Sequence, residues 1–143
     1  MVRLDADIAA AKLDVLIIIG DDQREIFQDA CRPALGIYYG ETIRNAAAPS
    51  EPPKDWYFED QRRRLEEGTD RHYPCDAALG AYLISGLMQQ SFDITAVKAL
   101  VGPQFEGHAY SFIHRRYMRE RVIPIVDITA KLLSSALTYQ ANS

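Results

Sequence analysis

Acidic and amide side chains follow directly on the most apolar stretch of the chain. Residues 15–19 are all branched and apolar, and Asp21, Asp22 and Gln23 come one glycine later. Adjacent carboxylates repel each other, and a cation, a substrate hydroxyl or the start of a helix offsets this cost. Two interpretations therefore stand for this corner: it binds a ligand, or it caps the helix that follows. Glu25 is close enough to join either arrangement.

His108 is the histidine best placed for chemistry, because it follows a glycine-containing loop and opens a predicted helix. An imidazole there can serve as a general acid or base, since its ordinary pKa is near neutrality. The alternative is a surface or capping histidine. His114 comes six residues later, about 600° around a helix, so the two rings do not share a face. His72 is expected to be exposed, and the three histidines lack the spacing of a metal site.

Composition narrows the class of protein. A chain of 143 residues with 48% hydrophobic and 25% charged residues is typical of one soluble globular domain. The net charge of −4 argues against a nucleic-acid binder. No apolar run approaches the roughly 20 residues that span a bilayer, and no signal peptide is recognisable. We therefore expect a cytoplasmic protein without a membrane partner, with Cys31 and Cys75 as free thiols.

Hydrophobic periodicity and turn residues predict helix 5–13, strand 15–20, helical turn 21–29, strand 35–41, a loop and surface-helix insertion over 45–70, helix 73–90, strand 92–100, helix 108–121, strand 122–128 and helix 129–140 capped by Thr129. This alternation predicts a single α/β domain over 1–143, a three-layer sandwich with a mostly parallel or mixed central sheet and helices on both faces. Ligands bind such sheets where strands end. Asp22, Gln23 and His108 are therefore predicted to meet at one rim.

The same patterns predict packing. Strand 15–20 is apolar on both faces, which is typical of a central strand covered by helices on each side. Gly80 and Gly86 lie inside a predicted helix, where each costs about 1 kcal/mol relative to alanine, and this indicates close packing on a neighbouring element. In helix 108–121, one stripe is formed roughly by Ala109, Phe112, Ile113, Arg116 and Tyr117.

Three stretches, in order, carry a family resemblance: DVLIIIGDDQREIFQDACRPALGIYYGETI, then YPCDAALGAYLISGLMQQSFDITAV, then GHAYSFIHRRYM followed by IPIV. Together they cover most of residues 5–126 and resemble the class III extradiol ring-cleavage dioxygenases, the relatives of the catalytic beta subunit of protocatechuate 4,5-dioxygenase. The most specific pieces are the strand with GDDQxExF, the proline followed by Ile-Tyr-x-Gly, and the Gly-His helix start before Ile-Pro-Ile-Val.

The resemblance implies oxidative opening of a catechol-type aromatic ring by O₂ at a non-haem Fe(II) site. Two histidines and one carboxylate hold such an iron and leave positions open for substrate and oxygen. His108 falls on the family's active-site histidine, which hydrogen-bonds the substrate or oxygen intermediate and shuttles protons. Asp22, Gln23 and Tyr39 are assigned by the same resemblance to substrate binding.

The sequence also departs from the family pattern. Members carry an N-terminal strand that ends in a metal-binding histidine, and this chain begins after that point. Gln23 occupies the position of a second histidine ligand, and the later segment with the glutamate ligand has no counterpart. We therefore expect a partial domain, about half of a typical member, whose metal ligands are unknown. The alternative is a non-catalytic binding or assembly module that pairs through an exposed strand edge with a second copy, as a homodimer, or with a longer paralogue.

Overall fold

The computed structural model describes residues 2–22, 25–27, 31–47, 68–102, 104–119 and 121–130. Its elements, in chain order, are α1 (Val2–Ala10), β1 (Leu16–Gly20), β2 (Leu35–Tyr38), β3 (Thr42–Asn45), β4 (Arg71–Pro74), α2 (Ala77–Gln89), β5 (Thr95–Val97), α3 (His108–Tyr117) and β6 (Ile125–Ala130). The predicted α/β fold is confirmed. Within the described residues, no helix is both long and apolar enough to cross a bilayer.

The central sheet is mixed, with the strand order β1-β6-β2-β5. β1 is parallel to β6 and β2 is parallel to β5, whereas β2 and β6 run antiparallel. A second sheet, absent from the sequence prediction, joins β3 and β4 as an antiparallel pair. These two strands flank most of the predicted 45–70 insertion, of which residues 48–67 lie outside the described part of the chain.

Helices cover both faces of the central sheet. Ile125 and Val126 are consecutive in β6 and both are fully buried. Ile125 belongs to the core cluster of Tyr110 in α3, whereas Val126 belongs to the cluster of Ile84 in α2. Because successive strand residues point to opposite faces, α2 and α3 lie on opposite sides of the sheet. Ile8 of α1 packs on the α3 side.

The prediction that strand 15–20 is central is wrong. Among the described strands β1 pairs with β6 alone, so it lies at the edge of the sheet. Ile17 and Ile19 are 45% and 69% exposed, while Ile18 between them is buried in the core. An apolar run reports which side chains are hydrophobic, but it does not report how many neighbouring strands pair with it.

Three local predictions also change. Residues 25–27 of the predicted helical turn form a bend rather than a helix. Thr129, predicted to cap a terminal helix, lies inside β6 opposite Gly20, and residues 131–143 lie outside the described part. Pro74, predicted in the first helical turn, ends β4. Helix α2 instead begins after Asp76, whose Oδ1 accepts the Leu79 N–H at 2.9 Å.

Close packing explains one of the two helical glycines. A Cβ on Gly80 would lie 2.9 Å from the carbonyl oxygen of Tyr38 and 3.1 Å from the Cβ of Tyr39, so α2 rests directly on the chain at the end of β2. A Cβ on Gly86 would meet nothing within 4 Å. The packing prediction is therefore confirmed for Gly80 and wrong for Gly86.

Candidate functional site

Asp22 turns the chain at the end of β1. Its Oδ1 accepts the backbone N–H groups of Glu25 at 3.0 Å and Ile26 at 2.9 Å, and its Oδ2 accepts that of Phe27 at 2.9 Å. Bonds from amides to an ionised carboxylate are stronger than those to a neutral acceptor. Asp22 thus does what the capping interpretation predicted, although the residues it caps form a bend. Its predicted contact with substrate stays a prediction.

Glu25 holds His108 at the start of α3. Glu25 Oε2 lies 2.8 Å from Nδ1 of the His108 ring and accepts the His108 backbone N–H at 2.9 Å. The two side chains are 28% and 31% exposed, so the pair is open to solvent on one side. Because Nδ1 faces a carboxylate, the neutral ring carries its proton on Nδ1 and leaves Nε2 as the acceptor. Among the described residues, Nε2 has no hydrogen-bond partner.

Gly107 makes this contact possible. It is the N-cap residue of α3 and makes no side-chain capping bond. A Cβ on Gly107 would lie 2.9 Å from Glu25 Oε2, closer than real Cβ contacts allow, so a side chain there would displace the carboxylate. Glu25 also meets the positive end of the α3 dipole, which stabilises a negative charge. Two effects therefore explain the Gly-His pair in the sequence: Gly107 leaves space for the Glu25 carboxylate, and the α3 dipole stabilises the charge of that carboxylate.

The structure brings together two of the predicted site residues. Asp22 and His108 both bond to Glu25, one through its backbone and the other through its side chain, at the carboxyl end of β1. Tyr39 lies elsewhere: it packs against the cluster of Ile37 under α2, on the opposite face of the sheet from α3. Gln23 lies outside the described residues.

A second histidine–glutamate pair, which the sequence did not suggest, is buried and includes His114 of α3. Nδ1 of His114 lies 2.8 Å from Glu106 Oε2, and both side chains are 0% exposed. Asn45 Nδ2 donates to Glu106 Oε1 at 2.6 Å and to Ser111 Oγ at 3.1 Å. The His114 ring stacks on Tyr73, with centroids 3.8 Å apart and planes 7° from parallel. This network ties α3 to the β3–β4 strand pair.

The signal for this buried face was present in helix 108–121. Tyr110, His114 and Met118 recur at a spacing of four residues, and all three are buried. On the stripe identified in the sequence, Phe112 is exposed, whereas Ile113 is partly buried against the core. Periodicity counted over apolar residues alone misses a buried face that contains a histidine and a serine.

Asp127 is a buried acid in the middle of β6. Burial raises its pKa to about 7, and the negative charge of Glu106 adds to this shift, while the hydroxyls of Tyr110 and Thr129 partly offset it. The Tyr110 hydroxyl lies 3.0 Å from Thr129 Oγ1. Burial also raises the pKa of Cys75 to about 12, so this thiol stays protonated and unreactive at neutral pH.

The described residues do not fit the iron site that the resemblance implies. They contain no group of three or more histidine, cysteine, aspartate or glutamate side chains that could hold a metal ion. His108 and His114 are each bonded to a different glutamate, and the second pair is closed to solvent. Two histidines and a carboxylate around one open position are therefore not assembled in this part of the chain.

Comparison with known proteins adds no relative. No protein-family model matches the chain, and no curated protein matches it significantly. The likeness to the extradiol dioxygenases therefore rests on the quoted motifs, and the family assignment is a proposal.

Proposed function

We propose that this chain is an extradiol ring-cleavage dioxygenase-like protein that acts on a catechol-type aromatic ring with O₂, and that His108 is its acid–base residue. The observation that carries the proposal is the Glu25–His108 pair at the end of β1. A carboxylate holds one ring nitrogen at 2.8 Å, and the side chains remain partly open to solvent. This is the arrangement that general-base histidines adopt in enzymes.

The pair suits transfer of a proton from a phenol. Nε2 of His108 takes the proton from a catechol hydroxyl, and the imidazolium that forms is stabilised by the Glu25 carboxylate on the other side of the ring. The same nitrogen returns the proton to an oxygen of the opened product. Overall, one ring C–C bond breaks and each of its carbons gains one oxygen atom of O₂, so no further reductant is required.

Fe(II) enters the proposal through the resemblance alone. When bound, a metal of this type would activate O₂ and orient both catechol oxygens. The described residues do not supply its ligand set, so the role assigned to His108 concerns the proton only. In the proposal, Asp22 holds the bend that carries Glu25 at the end of β1. Gln23, the next residue in the sequence, is proposed to contact the substrate. Tyr39 does not, because it packs beneath α2.

Oxygen uptake by the full chain tests the proposal. Protein purified without oxygen is loaded with Fe(II) and given protocatechuate or gallate in an oxygen electrode. We expect one O₂ consumed per ring, and we expect His108→Ala to slow turnover by about 100-fold or more with unchanged iron content. His72→Ala, at an exposed histidine of β4, is the matched control. Absence of uptake at saturating Fe(II), or an unchanged rate in His108→Ala, would refute the proposal.

The edge position of β1 favours a second candidate, a non-catalytic assembly module. Ile17 and Ile19 present an exposed apolar face on a strand that has one described partner. Such an edge can add a strand from a second copy of this chain. A stable dimer that binds no iron would favour this candidate over the enzyme. For either function we propose a cytoplasmic location, which suits free Cys31 and Cys75.

A further inference from the structure

The residues that lead into α3 are fixed by the buried network as well as by Glu25. The Glu106 backbone N–H donates to the carbonyl oxygen of Arg44 in β3 at 2.8 Å, and its own carbonyl oxygen accepts the Ser111 hydroxyl at 3.4 Å. The Glu106 side chain bonds Asn45 and His114. Glu106 is therefore held by β3 on one side and by the second turn of α3 on the other.

We infer that Glu106 and His114 are positioning residues, which set the direction of the His108 ring toward Glu25. Glu106 comes two residues before His108, and His114 comes six residues after it in the same helix. Bonding between them at 2.8 Å closes a loop around the start of α3. The stack of His114 on Tyr73 then fixes this loop against β4.

The chemistry of the pair supports a geometric rather than a stabilising role. Both side chains are fully buried, and desolvation of two polar groups offsets most of the attraction between them. Apolar side chains of similar volume stabilise a core at least as well. What a bonded pair adds is direction, because the bond forms over a narrow range of angles and distances.

There is little free space around Gly107, so the direction of the chain at this point controls where the His108 ring lies. Gly107 lies between Glu106 and His108, and a Cβ at Gly107 would already be too close to Glu25 Oε2. The His108 amide and ring contact the same oxygen of Glu25, so we expect a small rotation of the chain at Gly107 to lengthen both contacts together. The inference rests on the proposed function only where it concerns catalysis. The geometry of His108 can be measured without substrate.

Nuclear magnetic resonance of the full chain gives two readouts at His108. The first is the fraction of neutral rings with the proton on Nδ1, from the ring ¹⁵N shifts. The second is hydrogen exchange of the His108 backbone N–H, which donates to Glu25, measured relative to amides of α2. In Glu106→Ala we expect a lower Nδ1–H fraction and exchange that is faster by about tenfold. In Glu106→Gln the side-chain oxygen still accepts from Asn45, and the side-chain N–H donates to His114 Nδ1 when that ring carries its proton on Nε2, so we expect this variant to restore most of both values.

Two further variants keep the inference open to refutation. Ser111→Ala removes one hydroxyl from the buried network and introduces a stronger helix former, while Glu106 keeps its bonds to Asn45 and His114, so we expect this variant to fold. We expect about threefold faster exchange at His108 in this variant. Asp76→Ala, which removes the cap of α2, is the control: exchange should rise at Leu79 and not at His108.

Unchanged tautomer and exchange at His108 in folded Glu106→Ala would overturn the inference. If Glu106→Ala does not fold, an unchanged Ser111→Ala would overturn it. If the wild-type chain cleaves no ring but Glu106→Ala changes the tautomer and exchange at His108 as expected, only the proposed function is refuted.

Discussion

One oxygen of Glu25 contacts His108 twice, at 2.8 Å from the ring Nδ1 and at 2.9 Å from the backbone nitrogen. The same contact orients the ring and caps α3, which has no capping side chain of its own at Gly107. Glu25 lies 83 residues away in the sequence, and Asp22 holds the bend that presents it. The geometry of the candidate base and the stability of the helix start therefore depend on one carboxylate.

Substitution of Glu25 should separate these two roles. Glu25→Ala removes the cap and should lower the free energy of unfolding by about 1 kcal/mol. Glu25→Gln keeps an oxygen for the amide, so its stability loss should be smaller, but it loses the charge that stabilises an imidazolium. We expect turnover in the proposed reaction to fall about 10- to 100-fold in both variants. Urea unfolding and oxygen uptake measure the two effects. Equal stability losses would contradict the capping role.

Substitution of Gly107 and of Gly86 by alanine should have opposite effects on the stability of the folded chain. In Gly107→Ala the new Cβ would lie 2.9 Å from Glu25 Oε2. The carboxylate must then move, and we expect destabilisation by about 1 kcal/mol. Gly86 in α2 has open space around it, so Gly86→Ala should stabilise by up to about 1 kcal/mol through helix propensity. Thermal unfolding of both variants checks this. A stable Gly107→Ala would show that Glu25 has room to shift.

Short sequence motifs predicted the positions of Asp22 and His108, the two site residues that lie within those motifs. The strand end before Asp22 and the Gly-His start of α3 mark positions that the fold brings to one rim. The partner of His108 could not be assigned, because Glu25 is 83 residues away and reaches it only through the bend after β1. The alternation of strand residues predicts that Tyr38 and Tyr39 point to opposite faces, but it does not say which face carries the site.

Other features depended on tertiary pairing. The edge position of β1 is set by the pairing of β6, which the apolar run itself does not encode. The buried bond between Glu106 and His114 joins two polar residues that each resemble surface positions in a single sequence. Asp127 likewise interrupts an apolar strand, and its burial beside the hydroxyls of Tyr110 and Thr129 follows from tertiary packing rather than from the strand's own sequence.

Stability should depend on pH through Asp127. Its pKa is raised to about 7 in the folded chain, from 3.8. The folded state therefore binds more protons than the unfolded state between these values, and stability falls as pH rises through this window. The full loss, present above about pH 7, is at most about 4 kcal/mol.

Asp127→Asn should abolish this dependence, since an amide has no proton to lose. Urea unfolding at about pH 5 and about pH 8 measures it. We expect the wild-type protein to be less stable at the higher pH and the variant to change little. Asp14→Asn, at an exposed aspartate, should behave like the wild-type protein. Increasing wild-type stability over this range would contradict the assigned burial of Asp127.

The assembly candidate predicts how charge on the β1 edge acts. Ile17 and Ile19 alternate along the strand and share its exposed face, whereas Ile18 faces the core. The double substitution Ile17→Lys and Ile19→Lys should therefore leave stability within about 0.5 kcal/mol, as is usual at surface positions. If a second copy pairs along this edge, the variant should be monomeric by light scattering where the wild-type protein is dimeric, because lysines on an edge oppose strand addition.

Tyr82→Lys, on the exposed side of α2, is the control and should keep the dimer. A dimer that survives both lysines would place the interface elsewhere, and a wild-type monomer at all concentrations would leave the enzyme proposal as the one to pursue.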